Sequence, residues 1–254
     1  MLKEFPILEF DSSLEAFFTP QKLIRKGNPP KHCVICFFLE IVEKVAREKN
    51  AKVILSRKWE DGRHKLYEIE HLGKRLAFFQ PGIGAPMAAG LLEEVVAFGC
   101  EKFVACGGAG ALRTEMPLGK LVIVTSAVRD EGTSYHYIEP SREIAAEIDS
   151  VEILEKTLIR NSLPFLKGKT WTIDAPYRET REKVQMRRSE GCLTVEMEAA
   201  AFIAVAKFRK VQFGQILYSG DDLSGQEWDE RGWGKQKQVR ENLFWLAAEA
   251  CLEL

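Results

Sequence analysis

The sequence predicts an α/β fold in which one central, mixed and largely parallel β-sheet is flanked by helices. Two observations predict this class: apolar strand-like runs alternate with helical patterns along all 254 residues, and glycine-rich segments follow several of those runs. No internal repeat, low-complexity tract or Pro/Gly/Ser-rich linker divides the sequence. We therefore expect a single domain that spans residues 1–254.

The first half of the chain is predicted to combine a β-hairpin with strand–helix units. The predicted elements are a strand-like run at 32–39 leading towards a helix, further runs at 53–55, 65–70 and 75–79, and a helix at 86–98. The runs at 65–70 and 75–79 flank Leu72-Gly73-Lys74, and a short glycine-containing turn between two such runs is typical of a hairpin.

The second half of the chain continues the alternation of strands and helices. Strands are predicted at 103–106, 121–127, 170–173 and 215–218, and helices at 141–160, at 195–208 and near 235–254. A helical connection allows successive strands to run parallel. This half therefore favours a largely parallel sheet that is covered by helices.

The charge balance and the apolar pattern limit the partners of the protein. Lys and Arg number 36 and Asp and Glu 37, which gives a formal net charge of -1. Because a polyanion is held by cationic excess, we expect no nucleic-acid partner.

The N-terminus carries acids and a proline where a signal peptide has a basic and then apolar segment, and no apolar run reaches membrane-spanning length. We therefore expect a soluble, cytoplasmic protein without a membrane partner.

The six cysteines are predicted to be buried thiols. Cys33, Cys36, Cys100 and Cys106 lie in or beside apolar runs, where a free thiol packs as a small hydrophobic group. Cys33 and Cys36 form a C-x-x-C motif, but no second pair or Cys/His partner at metal spacing accompanies it. We expect neither disulfides nor a metal site.

Three glycine-rich segments follow apolar strands and are candidate binding loops. They are residues 82–86, 107–111 and 219–222. The carboxyl ends of parallel strands are where α/β folds bind ligands, and glycine lets backbone N–H groups approach an anion or a sugar. A single segment of this kind is more often only a tight connection. None fits the dinucleotide fingerprint, so NAD is not expected.

Two carboxylates stand at the predicted start of a helix of small and apolar residues. Residues 195–201 read VEMEAAA, so that Glu196 and Glu198 flank Met197. Acids in a first helical turn usually interact only with the helix dipole. An unpaired buried carboxylate is costly, however, and at this position it could accept two hydrogen bonds from a sugar diol. Asp221, after the next predicted strand, is expected to meet the same ligand.

Together these segments resemble the nucleoside phosphorylases of the hexameric purine nucleoside and uridine phosphorylase type, which are related to the methylthioadenosine nucleosidases. The resemblance runs from about residue 27 to the C-terminal helix. Its motifs are residues 82–86 with Glu93-Glu94, 107–111, 128–137, 174–177, and 195–200 followed by 219–221. It implies a pentosyltransferase without a cofactor, inorganic phosphate as co-substrate, and a homo-oligomer, either a dimer or a trimer of dimers.

The resemblance also implies roles for residues around the nucleoside. Glu198 matches the glutamate that binds the ribose 2′- and 3′-hydroxyls, Met197 matches the methionine beneath the sugar, and Glu196 is expected to bind the ribose with them. Asp221 matches the acid of the purine enzymes, which relieves negative charge at N7 as the C1′–N9 bond stretches. The expected base-binding residues are Gly107, Pro176, Tyr177 and His136.

The expected phosphate-binding residues are Gly27, Lys31, Gly108 and Arg63, of which Gly108 is expected to bind through the backbone N–H groups around it. Residues 27–31 keep the shape of the family's phosphate loop but carry Lys31 in place of arginine, and Arg63 is expected to reach a neighbouring subunit's site. Ala105 and Gly108 stand where the family has an arginine and a hydroxyl residue. Two phosphate ligands are therefore missing from the motif.

Four functions remain open at this point. The first is phosphorolysis of a nucleoside, with purine favoured because Asp221 is present and because Thr180 and Glu182 replace the residues that read a pyrimidine. The second is a pyrimidine enzyme of the uridine phosphorylase type. The third is a hydrolytic nucleosidase, for which Glu40 is a loose candidate to activate water. The fourth is a catalytically weak nucleoside-binding protein.

Overall fold

In the computed structural model, which describes residues 2–254, ten strands form one mixed β-sheet that is flanked by seven α-helices. The strands are β1 (His32–Cys36), β2 (Lys52–Trp59), β3 (Gly62–His71), β4 (Lys74–Phe79), β5 (Lys102–Ala111), β6 (Leu121–Asp130), β7 (Glu143–Ala145), β8 (Phe165–Ile173), β9 (Cys192–Glu196) and β10 (Gln212–Asp222). The helices are α1 (Pro20–Leu23), α2 (Leu39–Glu48), α3 (Ala85–Phe98), α4 (Ile148–Arg160), α5 (Arg181–Ser189), α6 (Ala199–Arg209) and α7 (Lys237–Cys251).

The strand order is β10-β6-β8-β9-β5-β1-β4-β3-β2, with β7 paired to β6. Strand β10 also pairs with β5, so that β5, β10, β6, β8 and β9 close into a ring. Parallel pairs join β1 to β4 and β5, β5 to β10, and β8 to β6 and β9. The remaining pairs are antiparallel. The predicted class, a mixed sheet flanked by helices, is confirmed, with antiparallel strands at one edge and in the ring.

Strand β1 shows why the apolar runs become central strands. Cys33 and Ile35 pack into the hydrophobic cluster on one face of the sheet, and Val34 and Cys36 into the cluster on the other. A strand that is covered on both faces needs an apolar side chain at every position. All six cysteines are buried free thiols, which confirms their predicted place in the core.

Tertiary pairing changes two predicted helices. Helix α4 begins at Ile148 and not at Ser141, because residues 143–145 pair with β6 as β7. The predicted helix at 195–208 begins only at Ala199, because Glu196 ends β9, which pairs in parallel with β8. Helix α5 and strand β9 are elements that the sequence pattern did not predict.

Two of the three glycine-rich segments are strand and not loop. Residues 107–111 continue β5 and residues 219–222 continue β10, because the parallel pairing of the two strands extends to Ser219 with Ala109 and Asp222 with Ala111. Only residues 82–84 form the expected loop, which ends at the start of α3. A Cβ atom at Gly110 would lie 2.6 Å from the side chain of Leu223 and 2.9 Å from that of Val195, so glycine lets these two side chains pack against β5.

Two features are absent from residues 2–254. In that range, no helix has both the length and the apolar character that crossing a membrane requires. His, Cys, Asp and Glu side chains there form no group of three or more that could hold a metal ion.

Candidate active site

A cavity of about 320 Å³ opens where β1, β4 and β9 end. Gly108, Glu196, Met197 and Glu198 line it, so the structure brings together four of the residues that the sequence singled out. Ile83, from the glycine-rich loop before α3, adds to the same wall. The volume is within the range of small-molecule sites.

Glu198 is the buried carboxyl of this cavity and precedes the first residue of α6. Its Oε1 atom accepts a 2.6 Å hydrogen bond from the backbone N–H of Gly84. Gly84 has φ +89°, a backbone conformation that is unfavourable for residues with a Cβ atom. The contact therefore needs glycine at this position. Burial, with a contribution from the charge of Glu196, raises the pKa of Glu198 to about 8.

Glu196 was expected to bind the ribose, but both of its carboxylate oxygens accept hydrogen bonds from the protein. Its Oε2 atom accepts hydrogen bonds from the backbone N–H groups of Glu198 (2.8 Å) and Ala199 (2.6 Å), and Oε1 accepts one from Thr172 Oγ1 (2.7 Å). These bonds satisfy the free N–H groups at the start of α6. Glu196 lines the cavity, but its oxygens hold α6 in place and thereby orient Glu198.

Glu196 and Glu198 are both buried, and the number of hydrogen bonds that each carboxyl group accepts decides which one ionises at the lower pH. Burial raises the pKa of Glu196 to about 7, although its three hydrogen bonds favour the ionised form. Glu198 accepts fewer hydrogen bonds than Glu196 and has the higher pKa. As pH rises, Glu196 is therefore the first of the two to lose its proton.

Arg240, from α7, is a buried cation on the wall of the same cavity. Its Nη1 atom donates to Glu40 Oε1 at 2.6 Å and its Nε atom to the Tyr218 hydroxyl at 3.2 Å. The guanidinium also lies over the rings of Phe38 (4.9 Å to the centroid) and Trp233 (5.3 Å). The sequence reasoning missed Arg240, and the available signal was an arginine within an otherwise apolar helical stripe.

Gln215 is a second polar residue of the cavity that sequence reasoning missed. It lies on β10, only 1% of its surface is exposed, and neither its Oε1 nor its Nε2 atom has a hydrogen-bond partner among residues 2–254. Its neighbour in the parallel pair with β5 is Ala105, whose side chain has no polar atom. The available signal was an amide inside the otherwise apolar run at 213–218 of β10.

Asp221 does not line this cavity. It is half-buried at the end of β10, and its Oδ2 atom accepts a 2.8 Å hydrogen bond from the indole N–H of Trp228. Glu179 lies close enough that burial, together with the charge of Asp221, raises the pKa of Glu179 to about 7. Asp221 therefore belongs to a second acidic pair, at the same end of the sheet as the cavity.

The structure does not bring the expected base-binding residues to the cavity wall. Pro176 and Tyr177 lie in a short 3-10 helix after β8, and the Tyr177 side chain is 99% exposed. His136 faces a separate cavity of about 760 Å³, beneath residues 13–23. Gly107 lies behind the ring of Phe37, where a Cβ atom would approach that ring to 2.9 Å.

Gly27 and Lys31 lie at the opposite end of the sheet, which corrects their expected place beside Glu198. The Gly27 N–H donates to the carbonyl of Phe98, and the Lys31 ammonium pairs with Glu101 at 3.0 Å. Both residues precede β1, and β5 begins beside them, whereas the cavity opens where β1 ends. Arg63 is exposed near the β2–β3 hairpin and does not line the cavity either.

Known proteins are similar to this chain in sequence. A family model described as the phosphorylase superfamily matches residues 31–249. A guanosine phosphorylase from Halorubrum lacusprofundi is 32% identical over 153 residues, which cover 60% of this chain and 64% of that protein. A uridine phosphorylase from Thermococcus kodakarensis is 26% identical over 182 residues, covering 64% and 66%. The chain thus aligns with just under two thirds of the length of these relatives.

Solved structures resemble the fold over a larger part of the chain. Uridine phosphorylase from Vibrio fischeri ES114 has a TM-score of 0.76 at 20% identity, covering 91% of this chain and 95% of that one. AMP nucleosidase from Bacteroides thetaiotaomicron has a TM-score of 0.74 at 17% identity, covering 92% and 96%. Since the family model spans the sheet and the cavity residues from β1 to α7, the chain belongs to the phosphorylase superfamily.

Proposed function

We propose that this protein is a nucleoside phosphorylase that favours purine nucleosides and releases the free base and ribose 1-phosphate. The observation that carries the proposal is the buried carboxyl of Glu198, held beside Met197 on the wall of a cavity of suitable size. The similarity to guanosine and purine nucleoside phosphorylases supports both the reaction and the base.

The reaction proceeds by displacement at C1′ of the ribose. An oxygen of phosphate forms a bond to C1′ while the C1′–N bond to the base breaks, and the ribose becomes oxocarbenium-like between them. Glu198 accepts hydrogen bonds from the 2′- and 3′-hydroxyls and stabilises that positive charge. The electron pair of the broken bond stays with the base, where we infer that Asp221, from the end of β10 outside the cavity wall, donates a hydrogen bond or proton at N7.

The test is release of free base from a panel of purine and pyrimidine nucleosides, with and without phosphate. We expect release from inosine or guanosine that requires phosphate, with ribose 1-phosphate as the second product. Faster turnover of uridine would favour the pyrimidine alternative, which similarity to uridine phosphorylases supports. Binding of nucleosides without any turnover would indicate a binding protein and overturn the proposal.

A hydrolytic nucleosidase is the second candidate, and one observation favours it. Glu40 lines the same cavity as Glu198, so a carboxylate is available there to take a proton from water. In this structure Glu40 is instead paired with Arg240, which holds the carboxylate away from that task. Base release at an unchanged rate in phosphate-free buffer would identify the hydrolase.

The pKa of Glu198 predicts the pH dependence of the reaction. The ionised carboxylate is the form that accepts both ribose hydrogen bonds, and burial raises its pKa to about 8. As pH falls below that value the carboxylate is protonated, so kcat/KM should decrease by about tenfold per pH unit down to about pH 6. Initial rates at low nucleoside concentration measure this profile. In Glu198→Gln the decrease between about pH 8 and pH 7 should disappear, and a persisting slope there would assign it to another group; a decrease that begins only near pH 7 would report Glu196.

A homo-oligomer, either a dimer or a trimer of dimers, is the expected assembly. The resemblance implies pockets that a neighbouring subunit completes, and Phe17 and Phe18 present large exposed apolar side chains beside the cavity that His136 faces. Closed symmetric assembly is the usual outcome for such surfaces. Light scattering at micromolar concentration measures the mass, and a fully active monomer would contradict the prediction.

A further inference from the structure

We propose that Gln215 and Arg240 bind the oxygen atoms of inorganic phosphate in the cavity that Glu198 lines. This inference rests on the proposed phosphorylase function, because it assigns residues to the second substrate of that reaction. It replaces Gly27 and Lys31, which lie at the other end of the sheet.

The amide of Gln215 is the first argument. Burying an amide without hydrogen bonds costs free energy, and nearly all buried polar side chains in folded proteins have a partner. Gln215 is almost fully buried, lines the cavity and has no partner for either amide atom within residues 2–254. Its amide N–H groups are therefore free to donate to a ligand in the cavity.

The surroundings of Gln215 explain why the protein offers it no partner. Its pair on β5 is Ala105, and Gly108, further along β5, also lines the cavity without a side chain. Paired residues of parallel strands direct their side chains to the same face of the sheet. The small side chain of Ala105 therefore leaves space beside the amide that a compact ligand can fill.

The charge of Arg240 is the second argument. Of the described residues that line the cavity, Arg240 alone is cationic, whereas Glu40, Glu196 and Glu198 are acids. A phosphate dianion needs a cation there to offset these carboxylates, and a guanidinium is well suited to phosphate oxygens. The rings of Phe38 and Trp233 hold the guanidinium in place, so little entropy is lost when it binds.

Glu40 regulates how much of that charge is available. It accepts a hydrogen bond from Arg240 Nη1, and 43% of its side chain is exposed. Because the Glu40 carboxylate can rotate into solvent, phosphate can replace it on the guanidinium. Glu40 therefore competes with phosphate, and its removal should strengthen phosphate binding.

Steady-state kinetics with each substrate varied in turn test the proposal. Arg240→Met should raise the KM for phosphate by about 10- to 100-fold, the size expected for loss of a charged hydrogen bond. Gln215→Leu should raise it by about 3- to 10-fold. Glu40→Gln should lower it severalfold. The KM for the nucleoside should change less than about twofold in all three.

Lys44→Met is the matched control. Lys44 pairs with Glu241, so this ion pair joins the same two helices, α2 and α7, as the Glu40–Arg240 pair does, but outside the cavity. If Arg240 acted only by tying these helices together, Lys44→Met would change the kinetics in a similar way. We expect the KM for phosphate to be unchanged in this control.

Direct binding of inorganic phosphate completes the experiment. Isothermal titration should show weaker binding to Gln215→Leu and Arg240→Lys than to the unmodified protein, and these milder variants serve if Arg240→Met does not fold. An unchanged phosphate KM and affinity in both would overturn the proposal. If the unmodified protein releases base without phosphate, the proposed phosphorylase function fails instead, whatever the variants do.

Discussion

Replacing Glu198 by Gln is expected to lower kcat/KM by about 30- to 1000-fold while the fold stays intact. The loss of a charged acceptor for the ribose hydroxyls should cost about 2–4 kcal/mol in transition-state binding. The Gln carbonyl can still accept the hydrogen bond from the Gly84 N–H that Glu198 accepts now, so the loop should keep its position. Steady-state rates measure the loss, and circular dichroism with thermal unfolding verifies the fold.

Glu94→Gln is the matched control for that variant. Glu94 is also a buried glutamate and pairs with Arg57, but it lies on α3 and faces the cavity beneath residues 13–23. We expect its removal to lower stability without a comparable loss of kcat/KM. Near-normal catalytic efficiency in Glu198→Gln would remove Glu198 from the ribose site.

Replacing Asp221 by Asn is expected to lower turnover of inosine or guanosine by about 10²- to 10⁴-fold, the usual size of general acid catalysis. The side-chain oxygen of Asn can still accept the hydrogen bond from the indole of Trp228, so the loop geometry should persist. A 7-methylated purine nucleoside already carries positive charge on its base and should lose far less. The ratio of the two losses is the measured quantity.

Trp228→Phe separates the chemical role of Asp221 from a structural one. This change removes the hydrogen bond to Asp221 but leaves the carboxyl group. We expect a small effect that is equal for both substrates. If Asp221→Asn reduced turnover of the natural and the 7-methylated nucleoside equally, Asp221 would act through structure or through the sugar, and the preference for purine would lose its main support.

The sequence was sufficient for the fold class and for the two residues at the centre of the cavity. Runs such as residues 33–36 must be covered on both faces, and this local pattern identifies central strands. Glu198 was singled out because a carboxylate beside small apolar residues is costly unless it binds something, and Met197 because of the family resemblance. Both signals are contained within a few consecutive residues.

The placement of Gly27 and Lys31 shows where local reasoning failed. Residues 27–31 have the composition of a phosphate loop, but they come before β1 and not after it. In a parallel pair, the segments before two strands share one end of the sheet and the segments after them share the other. The order of the loop relative to β1 was the signal that would have prevented the error.

What the sequence by itself determined is the fold class and the chemistry of single positions: a mixed sheet with helices, buried thiols, and a carboxyl group at the start of a helix of small apolar residues. Only the tertiary structure decided that Gln215 and Arg240 line the same cavity as Glu198, and that Glu196 accepts hydrogen bonds from the N–H groups at the start of α6. These facts depend on the closure of β10 against β5 and on the docking of α7. Such contacts join residues far apart in the chain, and no periodicity within one element encodes them.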